Sequence, residues 1–185
     1  VLSVDCARMF GVRFKSLDAG VDFAYDMVKE ILCTSKLEDE KRLREILGSM
    51  KAGLQQAIPG SGHSSAVLRA SSYFQGSAYF MERTAGIEFY HLVEKLEKNF
   101  EEQKADLIEK LQLLMRYIFR PENLFVSITA DEKGYEGTEQ KIASMKEYLH
   151  KEQLPQGCIH YLLEQKNEAF MTAGQVQYVA SCGNF

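Results

Sequence analysis

Gly62-His-Ser-Ser-Ala-Val-Leu-Arg-Ala-Ser71 and Thr84-Ala-Gly-Ile-Glu-Phe-Tyr-His-Leu-Val-Glu-Lys-Leu-Glu97 are the two runs around which this chain is organised. The first run follows Pro59-Gly60, a pair that stops helices, and the second run turns on Gly86. Small side chains fill the first run, and apolar residues recur at helical spacing in the second. Together they predict a helix, a small-residue turn and a second, amphipathic helix.

Helical periodicity extends in both directions from these runs. Apolar side chains recur every three or four residues in segments 21–32, 43–58, 87–96, 107–118 and 142–149. Pro121 ends the central series, because proline cannot donate the next helical hydrogen bond. The sequence therefore predicts about five consecutive helices and one more after a break.

Strand-like alternation of apolar and polar residues flanks the helices. It occurs in 8–16 and 124–130, and two further strands are predicted at 159–163 and 175–181. This order predicts an α+β fold with helices packed on one face of a small, mostly antiparallel sheet. We also expect at least one of the last two segments to join the sheet that contains 8–16 and 124–130, because they are too short for a core of their own.

Size and composition are those of a globular protein. The 185 residues, 45% hydrophobic and 26% charged, suffice for one domain with a core, or one domain plus a fragment of another. A net charge of -4 without a basic stripe disfavours nucleic acid and membrane partners. The missing initiator Met suggests a piece cut from a larger protein. Without a signal-peptide pattern, we expect a cytoplasmic or other intracellular compartment.

The four cysteines are dispersed along the chain. Cys6, Cys33, Cys158 and Cys182 form no Cys-x-x-Cys pair and have no His at zinc-finger spacing. They are interpreted as reduced thiols of an intracellular protein.

The two central runs also carry a family resemblance. Gly-His-x-x-Ala-x-x-Arg-Ala from Gly62 and Gly-Ile-x-Phe-Tyr-x-Leu-x-x-x-Leu-Glu from Gly86 resemble the region that follows the catalytic half of presequence-protease-like members of the pitrilysin/insulinase family of zinc metallopeptidases. Similar segments at 14–17, 123–131 and 175–180 resemble strands of that family. These are packing motifs, and none is a catalytic signature.

The resemblance implies a place in a two-half peptidase. Residues 1–155 would be a non-catalytic peptidase-associated α+β domain, and 156–185 would be a linker and the opening strands of the next domain. The partners would be the catalytic N-terminal half of the same polypeptide, whose first domain binds zinc, and an unfolded peptide substrate. This chain would be scaffold and chamber wall. No catalytic, cofactor-binding or metal-binding residue is assigned to it.

One segment comes close to the zinc signature of the resembled family. That signature is His-x-x-Glu-His on a helix, in which both His bind zinc and the Glu activates the metal-bound water. Here His91 and Glu94 have the required spacing, but Lys95 replaces the second His, and an ammonium has no lone pair to donate. We therefore expect no zinc in this chain.

The other histidines give no catalytic pattern. His63 follows a helix break and is interpreted as a structural residue, since neither Ser64 nor Ser65 stands in a nucleophile elbow. His150 and His160 lack metal-ligand spacing and are interpreted as incidental.

Charged and glycine-rich stretches have ordinary explanations. The mixed charges of 36–44 are interpreted as a solvated helix face, as are the carboxylates of Glu101, Glu102, Asp106 and Glu109. The Gly60-Ser-Gly62 turn lacks the lysine of a phosphate-binding loop. Aromatic residues in 73–89 are interpreted as core, although in a two-half peptidase they could face the chamber.

Two other classes of function stay open from the sequence. The chain could be a stand-alone helical module that binds a protein partner through 62–89. A thiol or serine hydrolase that uses His63 is a weaker third possibility.

Overall fold

The computed structural model describes residues 8–155, 157, 161–172 and 174–183. These residues form eight α-helices with two short 3-10 turns at Asp18–Gly20 and Pro121–Asn123. The helices are α1 (Val21–Thr34), α2 (Glu40–Gly60), α3 (Gly62–Ser71), α4 (Gly76–Ala85), α5 (Ile87–Lys98), α6 (Phe100–Ile118), α7 (Glu132–Tyr135) and α8 (Thr138–Tyr148).

The first of two structural units is built around α5. It contains α2 to α5, the start of α6 and the described residues from 157 onward. Helices α2 and α4 pack against α5, and α3 packs against α4. Val93 on α5 is only 2% exposed, and the other buried apolar residues of this unit are Leu47, Ala78, Ile87 and Phe100. The amphipathic run predicted from 87–96 is therefore the centre of this unit.

The second unit contains α1, α7, α8 and the remainder of α6, with the flanking residues 8–17 and 119–131. Helix α1 packs against α8, and Leu32, Met145 and Leu149 are buried. The Lys29 ammonium lies 3.4 Å from the centre of the Tyr148 ring, a cation–π contact across the same helix pair.

The boundary between α2 and α3 follows the chemistry of proline. Pro59 lies in the last turn of α2, which ends at Gly60. The Ser65 hydroxyl donates to the carbonyl oxygen of Ile58 at 3.2 Å, which ties α3 back to the end of α2. Downstream, the single helical turn expected at 79–84 is a full helix, α4, which begins at Gly76.

The predicted α+β class is wrong for the described residues, which contain helices and no β-strand or sheet. In 124–130 the alternation survives as burial, since Leu124 and Val126 are half-buried while Phe125 is 78% exposed. In 8–16 the Phe10 and Phe14 rings pack edge-on against Phe119 and Tyr25 instead of forming a sheet face. Period-two patterning reports which side chains are covered, and it does not supply the backbone partner that a strand needs.

The tail strands expected at 159–163 and 175–181 are also wrong where the structure describes them. Residues 161–163 and 175–181 have no regular secondary structure, whereas Ile159 and His160 lie outside the described residues. The described tail belongs to the unit of α2 to α5, and segments 8–16 and 124–130 belong to the other unit. Helices, not a sheet edge, provide the surface on which the tail rests.

Among the described helices, none has the combination of length and apolar character that crossing a membrane requires.

Candidate functional site

Arg69 on α3 is the centre of a charged cluster in the first unit. Its side chain is 11% exposed and its Nη1 contacts carboxylate oxygens of Glu82 on α4 at 3.3 Å and Glu88 on α5 at 2.9 Å. Burial opposes the charge of the guanidinium, but hydrogen bonds to Glu168 and Glu88 outweigh it and raise the pKa of Arg69 above its ordinary value. One cation therefore joins three consecutive helices.

Glu82 is the most deeply placed charge of the cluster, with a side chain 1% exposed. Its Oε1 accepts a hydrogen bond from the backbone N–H of Glu88 at 3.2 Å. That donor lies in the first turn of α5, where helical N–H groups lack partners and the helix dipole favours negative charge. Glu82 thus caps α5 from the preceding helix, a role that the capping residue Gly86 cannot perform.

Gly86 allows this close approach. A Cβ at this position would lie 2.6 Å from Cδ of Glu82 and 2.9 Å from its Cα. Within the described residues, Oε2 of Glu82 is buried without a hydrogen-bond partner, so its charge is offset by Arg69 and by the α5 N-terminus. The glycine predicted as a turn residue is required here for packing.

The tail contributes Glu168 and Phe170 to the cluster. Oε1 of Glu168 lies 2.7 Å from both Nε and Nη2 of Arg69, and it also accepts from the Tyr73 hydroxyl. Burial would raise the pKa of Glu168, but the bonds from Tyr73 and Arg69 hold it below its ordinary value. The Phe170 ring centre lies 5.5 Å from the guanidinium carbon.

A cavity of about 140 Å³ adjoins the cluster. Both charges and aromatic rings line it, and its main contributors are Arg69, Tyr73, Tyr79, Glu82, Arg83 and Glu164. The Tyr79 and Tyr161 ring centres are 4.8 Å apart beside it. Charged groups with fixed partners and rings at a surface cavity suit recognition of a chain, and they include no activated nucleophile.

The zinc-like segment His91 to Lys95 lies on α5 and does not fit a metal. Nδ1 of His91 is 3.9 Å from Oε2 of Glu94, and both side chains are about half-exposed. No group of three or more His, Cys, Asp or Glu side chains that could hold a metal occurs in the described part of the chain. Because a protein zinc site normally needs at least three ligands, no chemical step is assigned to a metal here.

We expect the purified chain to retain no stoichiometric zinc, because His91 and Glu94 lack a third donor. Elemental analysis after dialysis checks this, with His91→Ala as the matched variant. One zinc per chain that disappears in the variant would contradict the prediction.

The residues considered for nucleophilic catalysis are not brought together. The His63 ring faces Tyr178, with ring centres 6.3 Å apart. Ser65 directs its hydroxyl to the carbonyl oxygens of Ile58 and Ser61, as a helix-start hydroxyl does. Burial raises the pKa of the Cys33 thiol, which lowers its thiolate fraction. This arrangement gives no support to the hydrolase possibility.

The remaining sequence candidates lie in ordinary positions. Cys33 and Cys182 are free thiols, while Cys6, Cys158 and His160 lie outside the described residues. The backbone N–H of His150 donates to the carbonyl oxygen of Phe119 at 3.0 Å. Solvent-facing ion pairs join the expected charged faces, such as Arg44 with Glu101.

Arg69 and Glu82 were not singled out from the sequence. The available signal was an arginine within a run of Ala and Ser, and a glutamate four residues before the glycine that precedes a helix. A single charge among small residues on a buried helix indicates a partner, because small residues let neighbouring helices approach it.

Comparisons with known proteins extend over almost the whole chain. A family model for the region associated with peptidases of metallopeptidase family sixteen, subfamily C, matches residues 3–96. "Protein HypA" of Clostridium perfringens is 28% identical over 174 residues, which are 94% of this chain and 18% of that protein. "Presequence protease 1, chloroplastic/mitochondrial" of Arabidopsis thaliana is 24% identical over 181 residues, 97% of this chain and 17% of that protein.

A third relative, "Presequence protease, mitochondrial" of Xenopus laevis, is 25% identical over 122 residues, 65% of this chain and 12% of that protein. The chain spans less than a fifth of the length of these curated relatives. The matches confirm the resemblance stated from residues 62–97.

Proposed function

The chain belongs to this peptidase-associated family, and from this premise we propose that it is the non-catalytic scaffold and chamber wall of a zinc metallopeptidase that degrades unfolded peptides. The observation that carries the proposal is the combination of coverage and name. Nearly the whole chain aligns with less than a fifth of a protein called presequence protease. A peptidase-associated part of that size leaves the catalytic groups to the rest of such a polypeptide.

The first unit supports a scaffold role. Arg69, Glu82 and Glu88 fix α3, α4 and α5 to one another through charges that are largely removed from water. Breaking such a pair is costly, so the relative placement of the three helices is well determined. Rigid support of this kind suits a wall that must hold its shape around a peptide.

The test compares the polypeptide that the gene encodes in full with the 185-residue chain. We expect the full polypeptide to bind zinc and cleave an unfolded fluorogenic peptide, and the chain alone to do neither. Arg69→Ala in the full polypeptide lowers kcat/KM while the bound zinc is retained, because the wall is disturbed and the metal ligands lie elsewhere. Lys110→Ala, which removes an exposed pair with Asp106, is the matched control.

Two outcomes would overturn the proposal. A full polypeptide that has no His-x-x-Glu-His segment and cleaves nothing would favour the stand-alone module that binds a protein through 62–89. Cleavage by the 185-residue chain itself, abolished in His63→Ala, would favour the hydrolase.

A further inference from the structure

Residues 161–172, called here the tail segment, lie on α3, α4 and α5 as a bound peptide would. The segment has no regular secondary structure. For residues 162–172, the described structure contains no backbone-to-backbone hydrogen bond to the helices. Side chains therefore make the attachment, above all those of Glu168 and Phe170.

The helical surface keeps its binding geometry without the tail. Nη1 of Arg69 is held by Glu82 and Glu88, which belong to α4 and α5. This leaves the Nε and Nη2 edge of the guanidinium directed at the tail, together with the Tyr73 hydroxyl. A planar guanidinium fixed on one side presents a ready donor pair to a carboxylate on the other.

A second feature reads the residue two positions after the carboxylate. The Phe170 ring lies 5.5 Å from the Arg69 guanidinium carbon and its centre is 6.1 Å from that of the His91 ring. In an extended chain, side chains two positions apart point to the same side, so Glu168 and Phe170 reach one surface together. The surface thus recognises an acidic residue and an aromatic residue in the order Glu-x-Phe.

The tail segment fills this surface incompletely. The cavity of about 140 Å³ lies beside it, with Leu162, Glu164 and Lys166 of the tail on one wall. Attachment by a few side chains, next to unfilled space, is what a displaceable ligand shows, because few contacts must break for it to leave.

We propose that the surface of Arg69, Tyr73 and His91 is a binding site for an extended peptide that carries an acidic residue and, two positions later, an aromatic residue. The tail segment occupies this site within its own chain, and a second peptide of the same chemistry displaces it. The inference rests on the contacts of the first unit and is independent of the proposed function.

The first experiment monitors the site in the full 185-residue chain by NMR. The Arg69 Nε–H gives a side-chain signal whose exchange is slowed by the bond to Glu168, and its assignment comes from its loss in Arg69→Lys. We expect Glu168→Gln combined with Phe170→Ala to shift this signal and speed its exchange, with the helical circular dichroism unchanged. An unshifted, slowly exchanging signal would overturn the proposal.

The second experiment adds a labelled peptide of residues 161–172 and follows its fluorescence anisotropy. It binds the Glu168→Gln, Phe170→Ala chain at least about tenfold more tightly than the unmodified chain, whose site is already filled, since tenfold corresponds to ~1.4 kcal/mol. Binding restores the slow Arg69 Nε–H signal. A peptide with the same two replacements serves as the matched control.

The outcome must also depend on the helical side of the site. Adding Tyr73→Phe to the vacated chain removes one donor to Glu168 without touching Glu82, and we expect about tenfold weaker peptide binding. Failure of the peptide to bind the vacated chain would overturn the proposal. Equal binding of the control peptide would do so as well, because it would show apolar adhesion without Glu-x-Phe recognition.

Discussion

Arg69→Ala lowers the free energy of unfolding of the chain by about 3–5 kcal/mol, the range found when one partner of a buried ion pair is removed. The physical reason is Glu82, which is 1% exposed and would keep its charge away from water without a counter-ion. Urea unfolding followed by circular dichroism measures the loss. Of the variants considered, we expect this one to have the largest effect.

Two companion variants separate this mechanism from simple loss of a surface charge. Lys110→Ala removes an exposed pair on α6 and changes the free energy of unfolding by less than about 0.5 kcal/mol. Arg69→Met together with Glu82→Leu removes both charges and recovers much of the stability, because no buried charge is left unpaired. If the double variant is less stable than Arg69→Ala, the argument from the stranded carboxylate is wrong.

Gly86→Ala is the second large effect, and we expect a loss of about 2–3 kcal/mol from overpacking. The new Cβ would lie 2.9 Å from the Cα of Glu82, a backbone atom of α4 that cannot rotate away. It would also displace the carboxylate that caps α5. Thermal and urea unfolding both measure the change.

The matched control is Gly53→Ala in α2, where a Cβ would meet nothing within 4 Å. It should stabilise the chain by up to about 1 kcal/mol, because alanine is the better helix former. Combining Gly86→Ala with Glu82→Ala should cost less than the sum of the single losses, since the two side chains compete for one space. Strict additivity would contradict the proposed clash.

The helices could be predicted because their signal is local. Thr34 as the end of α1, Pro59 near the end of α2 and Pro121 after α6 each act through their own backbone chemistry. The sheet was wrong because a strand needs a partner that is distant in sequence. The alternation around Val126 records a half-covered chain and contains no information about what covers it.

The candidate site was harder to predict for the same reason. Arg69 gains its meaning from Glu82, Glu88 and Glu168, which are 13, 19 and 99 residues away. The quoted motif contained Arg69 and Glu88, but sequence patterns within one helix cannot show which charges meet between helices. His91 and Glu94, by contrast, attracted attention by spacing alone, and they lie half-exposed on one helix.

The way in which Arg69 divides its bonds also sets an order of folding. The Arg69 bond to Glu82 closes a short loop, whereas the bond to Glu168 closes one of 99 residues, and longer loops cost more entropy to close. A growing chain can complete the three-helix cluster before residue 168 has been synthesised, so the tail docks onto a surface already formed. Stopped-flow kinetics of Glu168→Gln should then show faster unfolding with an unchanged folding rate, as expected for a contact absent from the transition state.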